Sequence, residues 1–231
     1  MMSWTKLPSA WIENRELHAF RWAQGEGANN IAALMVLAVI AHHIEPQTGS
    51  ARLTYSDLSD KASLSRAKVS AGLGLLEARG LVDRYPDCSF YRLRNYDPNA
   101  GWAMFPAKGL YHNDVVAAFE EFRLRVRSEL DALKLYFLFA ARRNRDTNYA
   151  NISYPKIEEY SGVDRNHIRR ALSVLAAHGL VHVQYCDSTT NENGTANAYR
   201  LAHIEPRNHM GTRGRADTLR HMFGGLPEPT A

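Results

Sequence analysis

The spacing of apolar residues divides the chain into a short series of elements. Residues 31–41 are apolar on almost every face and predict a buried helix with Asn30 as its N-cap; 132–141 predict a second, with Asp131 before it. Thr54-Tyr55-Ser56-Asp57 reads as a capping box with Asp in place of Glu and opens a short helix through Leu58 and Ala62. Ser153-Tyr154-Pro155 opens a counterpart, with proline in the first turn, where its missing N–H costs little. A second cap follows each start after 11 residues, Ser65 behind Leu64 and Asp164 behind Val163, which requires two short helices joined by a tight turn. Beyond these caps Val69, Leu73 and Leu76 recur at i, i+4 and i+7, as do Ile168, Leu172 and Leu175, so each helix has one buried stripe. Gly80 and Gly179 stand where a left-handed residue ends a helix. The β-prone runs 81–82 and 180–183, each followed by a polar stretch and a Tyr-Arg-Leu run, predict two hairpins.

These elements are one pattern written twice. Residues 53–82 lie on 152–181 without a gap at a constant offset of 99, matching Tyr55 with Tyr154, Arg66 with Arg165 and Leu73 with Leu172. Upstream, Ala33-Leu34 answers Ala132-Leu133 at the same offset, and Trp4, Leu7 and Pro8 face Trp102, Phe105 and Pro106 after a one-residue slip. Downstream, Tyr91-Arg92-Leu93 answers Tyr199-Arg200-Leu201 at offset 108, which places nine extra residues in a surface loop between Val181 and Tyr199. A period this long exceeds the roughly 20–50 residues of solenoid repeats, so each copy is expected to hold its own core. The expected organisation is a first domain over 1–99 with an N-terminal strand or helix extension, a second over 100–205 with a leading helix over 113–130, and a basic, flexible tail over 206–231.

The order helix, helix, turn, helix, hairpin resembles the winged helix-turn-helix superfamily. Leu-Glu-Ala-Arg-Gly-Leu-Val at 76–82 and Ala-Ala-His-Gly-Leu-Val at 176–181 are similar to the end of its recognition helix, and the resemblance covers roughly 31–95 and 130–203. It implies a mainly α fold with small β-hairpins (α+β), built from two tandem winged helix-turn-helix domains. In such a unit the third helix enters the major groove by its N-terminal end. That assigns Arg66, Lys68, Ser70 and Ala71 in copy one, and Arg165, Asn166, His167, Arg169 and Arg170 in copy two, to double-stranded DNA. Arginine can grip guanine and asparagine adenine bidentately, so copy two is expected to read sequence and copy one to anchor. Thr54, Tyr55, Ser65, Ser153 and Tyr154 are expected to position phosphates. The hairpin tips over 84–89 and 187–197 would lie on flanking phosphates or the minor groove, through Arg84 and the amides Asn191, Asn193 and Asn197. Arg213 and Arg215 would form a minor-groove arm in the tail. The alternatives are solvated helix faces, a solubilising tail and a protein-interaction module.

Net charge changes this picture little. The 231 residues carry 28 Lys+Arg against 24 Asp+Glu, and by segment 1–100 carries 11 and 10, 101–205 carries 13 and 12, and the tail 4 and 2. Placement on the third helices carries the inference instead. Arg123, Arg125 and Arg127 are expected to pair with Glu120, Glu121 and Glu129 on an exposed helix. Two cysteines, Cys88 and Cys186, are too few for a disulfide framework and fit a reducing compartment; 31–41 is about half a membrane span, and the N-terminus lacks signal-peptide regions. A cytoplasmic bacterial protein on the nucleoid or a plasmid is expected, away from membranes.

No Gly-Lys-Ser/Thr loop and no His-apolar-His pair occur, so neither enzymatic activity nor a metal or cofactor is expected. Two tandem units, each after a Trp-x-x-apolar-Pro element, resemble the replication initiators of plasmids and some phages. Such proteins bind repeated origin sites, often form homodimers that repress their own promoter, and recruit host replication machinery. A transcriptional regulator and a replisome or partition scaffold are the competing readings.

Overall fold

Copy one runs β1 (Trp4–Pro8), α1 (Ala10–Glu13), α2 (Gly27–His42), β2 (Ser50–Arg52), α3 (Tyr55–Lys61), α4 (Arg66–Ala78), β3 (Val82–Tyr85) and β4 (Phe90–Leu93). Copy two runs β5 (Trp102–Pro106), β6 (Tyr111–His112), β7 (Val115–Val116), α5 (Ala117–Glu120), α6 (Arg127–Ala141), β8 (Ala150–Asn151), α7 (Tyr154–Ser161), α8 (Arg165–Ala177), β9 (Val181–Asp187) and β10 (Thr195–Leu201). The computed structural model describes residues 1–85, 89–187 and 195–205, with the backbone alone at 185–187, 195 and 196. Among these residues the chain is an α+β fold of eight α-helices and small antiparallel sheets. None of these helices is long and apolar enough to cross a membrane.

Helices α2 and α6 form the centre because each is buried along a continuous run, 30–42 in α2 and 129–140 in α6. Fourteen of the 16 residues of α2 are buried, including the unbroken run 30–42, which requires partners on every side. Helix α4 covers one side so closely that a Cβ on Gly72 would lie 3.0 Å from the backbone nitrogen of Ala33; α6 packs elsewhere on α2. The expectation of separate cores is corrected here: the buried apolar residues of both copies form one continuous cluster.

Strand pairing joins the copies as well. Strand β1 pairs antiparallel with β5, Trp4 opposite Pro106, Lys6 opposite Met104 and Pro8 opposite Trp102. Since Trp4-x-x-Leu7-Pro8 and Trp102-x-x-Phe105-Pro106 are the same motif, this register is the one an approximate two-fold axis through the Lys6–Met104 pair produces. The indoles of Trp4 and Trp102 stack at 5.8 Å. Around the same relation, Arg15 of copy one forms an ion pair with Glu159 on α7, and Asp114 of copy two one with Lys61 on α3. Arg15 and Asp114 are themselves 99 apart and both left-handed, at φ 66° and 67°.

Several local expectations change. Helix α2 starts three residues before Asn30, with Glu26 at the cap position; Asn30 is buried, donating to the Arg21 carbonyl at 2.8 Å and accepting from Arg79 at 2.7 Å. Helix α6 starts at Arg127, so Asp131 lies in its second turn rather than at a cap. No leading helix spans 113–130: left-handed Asn113 and Asp114 turn β6 into β7, and left-handed Leu124 separates α5 from α6. The expected arginine–glutamate pairs give way accordingly, with Arg127 reaching Asp131 at 3.2 Å and Glu129 accepting from the backbone N–H of Arg123. Each hairpin gains a third strand that periodicity did not reveal, giving sheet orders β2-β4-β3 and β8-β10-β9. The extra residues of copy two lengthen its hairpin strands to seven residues each against four in copy one.

Burial at the join makes stability depend on pH. His42 is enclosed between Phe105, with ring centroids 5.2 Å apart, and Tyr111, whose hydroxyl shares a 2.9 Å hydrogen bond with Nδ1. Burial, with a smaller contribution from His43, pushes the imidazole pKa from 6.5 down to about 3. The unfolded chain therefore takes up a proton that the folded chain refuses. This contribution to stability is whole above about pH 6.5 and is lost as pH falls toward 3, at about 1.4 kcal/mol per pH unit. Between pH 7.5 and 5.0, urea unfolding should show wild type losing about 2 kcal/mol more than His42→Gln. Equal losses would place a charged imidazole in the fold.

Candidate functional site

Helices α4 and α8 acquire their exposed faces from the same local construction. Ser65 Oγ accepts from the backbone N–H of Lys68 at 3.3 Å, and Asp164 Oδ1 accepts from that of Asn166 at 2.8 Å, so each helix starts at its expected cap. Val69, Leu73 and Leu76, and Ile168, Leu172 and Leu175, are buried, which turns the intervening positions outward. Gly80 and Gly179 are left-handed, at φ 67° and 65°, and end the helices.

The outward faces differ in chemistry. On α8, Arg165, Asn166, Arg169 and Arg170 are all exposed. Arg165 is held by Glu158 of α7 at 2.6 Å, whereas Arg169 and Arg170 have no side-chain hydrogen bond or ion pair among the described residues. Two unneutralised guanidinium groups one residue apart favour an anionic partner, since binding one releases counterions rather than breaking an existing pair. On α4, Arg66 and Ser70 are exposed, Ala71 is half-buried, and Arg66 donates to Ser56 Oγ at 3.0 Å. Lys68 is half-buried and donates to Asn29 Oδ1 at 2.8 Å, which ties its ammonium to the first turn of α2.

The expected phosphate-positioning groups are partly committed within the fold. Thr54 makes the full capping box, its hydroxyl donating to Asp57 Oδ2 at 2.7 Å and accepting from the Asp57 N–H at 3.1 Å. The Thr54 hydroxyl and backbone N–H, both donating to Asp57 Oδ2 at 2.7 Å, hold the Asp57 carboxyl below its ordinary pKa. Ser153 caps α7 by position, exposed and without a side-chain bond, and Tyr154 beside it is half-buried. Arg84, half-buried on β3, lies over the Tyr55 ring at 5.3 Å rather than reaching freely outward. Asn197 is half-buried on β10. Asn191, Asn193, Arg213 and Arg215 lie outside the described residues, as do Cys88 and the Cys186 side chain.

Two arginines expected to sit in a salt-bridged helix add to the basic surface. Arg125 and Arg127, at the start of α6, line a pocket with His167 and Arg170 of α8 and with Trp22, which follows the first copy's 3-10 turn over Glu16–Ala19. Asp131 also lines it; burial raises its carboxyl pKa against the opposing pull of Arg127, Lys134 and His167. Burial pushes the neighbouring Lys134 ammonium down to about 8. The sequence signal for this grouping was Arg125-Val126-Arg127 directly before an apolar helix, but periodicity had placed it inside a different helix. Comparison with protein-family models, with curated proteins and with solved structures finds no match to this chain.

Proposed function

We propose that the chain is a sequence-specific double-stranded DNA-binding protein of tandem winged helix-turn-helix architecture, and that it acts as a plasmid- or phage-type replication initiator at repeated origin sites. The observation that carries the DNA-binding part is the face of α8, where Arg169 and Arg170 stand exposed and unpaired among the described residues beside exposed Asn166. A capped helix presenting arginine and asparagine after a tight turn, with a hairpin behind it, suits major-groove reading. The role at origins rests on the duplication, which gives one chain two unequal reading helices without a second copy. The approximate two-fold through β1 and β5 supports two unequal half-sites for one chain. Host replication machinery and a homodimer that represses its own promoter belong to the same reading.

Binding titrations on selected duplexes test it. Arg169→Ala combined with Arg170→Ala should relax base preference, at about 1–3 kcal/mol for each lost bidentate contact. Lys68→Ala should weaken all sequences alike and flatten the dependence of log K on log salt by about one unit. Variants that bind selected sites as wild type does would remove the reading of α4 and α8. Mapping bound sites then separates the roles: clustered direct repeats beside an A·T-rich stretch indicate an origin, and single sites over promoters indicate a transcriptional regulator.

A further inference from the structure

The pocket at the start of α6 has a volume of about 290 Å³. Its aromatic wall is Trp22, which is 39% exposed, unusual for an indole with a fixed seat. That seat is Gly27: a Cβ there would come within 2.3 Å of Trp22 Cε3, so only glycine lets the ring lie against the first turn of α2. The lining also holds Arg125, Arg127 and Arg170 with His167, against the single carboxylate of Asp131. Asp131 is turned away from solvent, its side chain 5% exposed, and is neutralised by Arg127 at 3.2 Å. Arg125 and Arg170 have no ion pair among the described residues.

The other copy shows that the fold does not require this charge. At offset 99 the positions of Arg125, Arg127, Arg170 and His167 hold Glu26, Ala28, Ala71 and Lys68, and that Lys68 is already bonded to Asn29. The three arginines are therefore a property of copy two alone, and the indole beside them is contributed by copy one. Guanidinium forks match phosphate oxygens, and an indole face accepts a planar base.

We propose that this pocket binds a nucleotide, its phosphate held by Arg125, Arg127 and Arg170 and its base stacked on Trp22. The volume lies at the small end of ligand sites, roughly 300–1,000 Å³, and suits one nucleotide unit rather than a larger cofactor. The unit is either a free mononucleotide or one nucleotide of a bound nucleic-acid strand, since both present the same phosphate and base.

Tryptophan fluorescence of the full chain tests this, with the Trp22 signal taken as the difference between wild type and Trp22→Phe. Adenosine 5′-monophosphate should quench that signal saturably, with adenosine and inorganic phosphate at least tenfold weaker, and Arg125→Gln should weaken the nucleotide at least tenfold. Quenching by an oligonucleotide duplex but not by the mononucleotide assigns the site to a strand of nucleic acid. A Trp22 signal that neither probe changes, or that Arg125→Gln leaves at full strength, overturns the proposal. Among the described residues Arg125 has no side-chain hydrogen bond or ion pair whose loss would unfold the site, and unaltered far-ultraviolet circular dichroism of the variant checks this. Arg169 does not line the pocket, so Arg169→Ala isolates the groove-reading proposal: loss of duplex selectivity with Trp22 quenching retained separates the two.

Discussion

Phe105→Ala lowers the free energy of unfolding by about 3–5 kcal/mol, the range for deleting a buried phenyl ring. Phe105 is fully buried and sits where the copies meet. It stacks on Phe137 of α6 at 5.2 Å, meets Tyr136 edge-on at 5.3 Å and stacks on His42 of α2 at 5.2 Å. Deleting the ring removes contacts to both copies and leaves a space that two closely packed helices cannot close. Urea unfolding should shift in one transition, because His42 belongs to copy one and Phe137 to copy two. Val183→Ala, on an exposed strand position, should stay within about 0.5 kcal/mol of wild type. Two separate transitions, only one of them shifted, would show that the copies do not share their stability.

Cutting the chain has the largest expected effect: 1–99 and 100–205, produced separately, should each fail to show a cooperative unfolding transition. Without copy two, α2 exposes the apolar side that α6 covers, and β1 presents an unpaired edge where β5 had been. The fragments also lose Arg15–Glu159 and Lys61–Asp114, although surface ion pairs contribute little beside the apolar loss. Circular dichroism during heating checks this, with broad, non-sigmoidal traces expected for each fragment. A sharp transition from either would restore the view that each copy holds its own core.

Local signals in the sequence were accurate where the physics is local. The capping box of Thr54 and Asp57, the caps Ser65 and Asp164, the two buried stripes and the helix-ending glycines each depend on residues a few positions apart, and each is found as read. The cap assigned to Asn30 failed because an asparagine beside an apolar run looks the same whether it starts a helix or is buried inside one. Only Arg79, 49 residues away, and the Arg21 carbonyl show that its amide is satisfied in the interior. The reading of 113–130 as a helix failed similarly: Asn113, Asp114 and Leu124 are left-handed, and of these leucine carries no sequence signal for that conformation. Of the candidate site, the arginines of α8 were legible from their register against Ile168 and Leu172. The pocket was not, because Trp22, Arg125 and Arg170 come from segments far apart in the chain.

Backbone conformation draws the same boundary. Ser63 and Gly162, and Gly49 and Asn148, are two pairs at offset 99 in which both members are left-handed but only one is glycine. The path of the chain repeats where the residue type does not. By itself the sequence determined that there are two copies, where α3, α4, α7 and α8 begin, where α4 and α8 end, and which of their faces are apolar, because caps and periodicity are short-range properties of neighbouring residues. Only the tertiary structure decided that the copies pair through β1 and β5, share one core and bring Trp22 against a set of arginines in copy two. Those outcomes follow from burying the apolar surfaces of α2 and α6 against each other, and local pattern says that such a surface must be covered without saying by what.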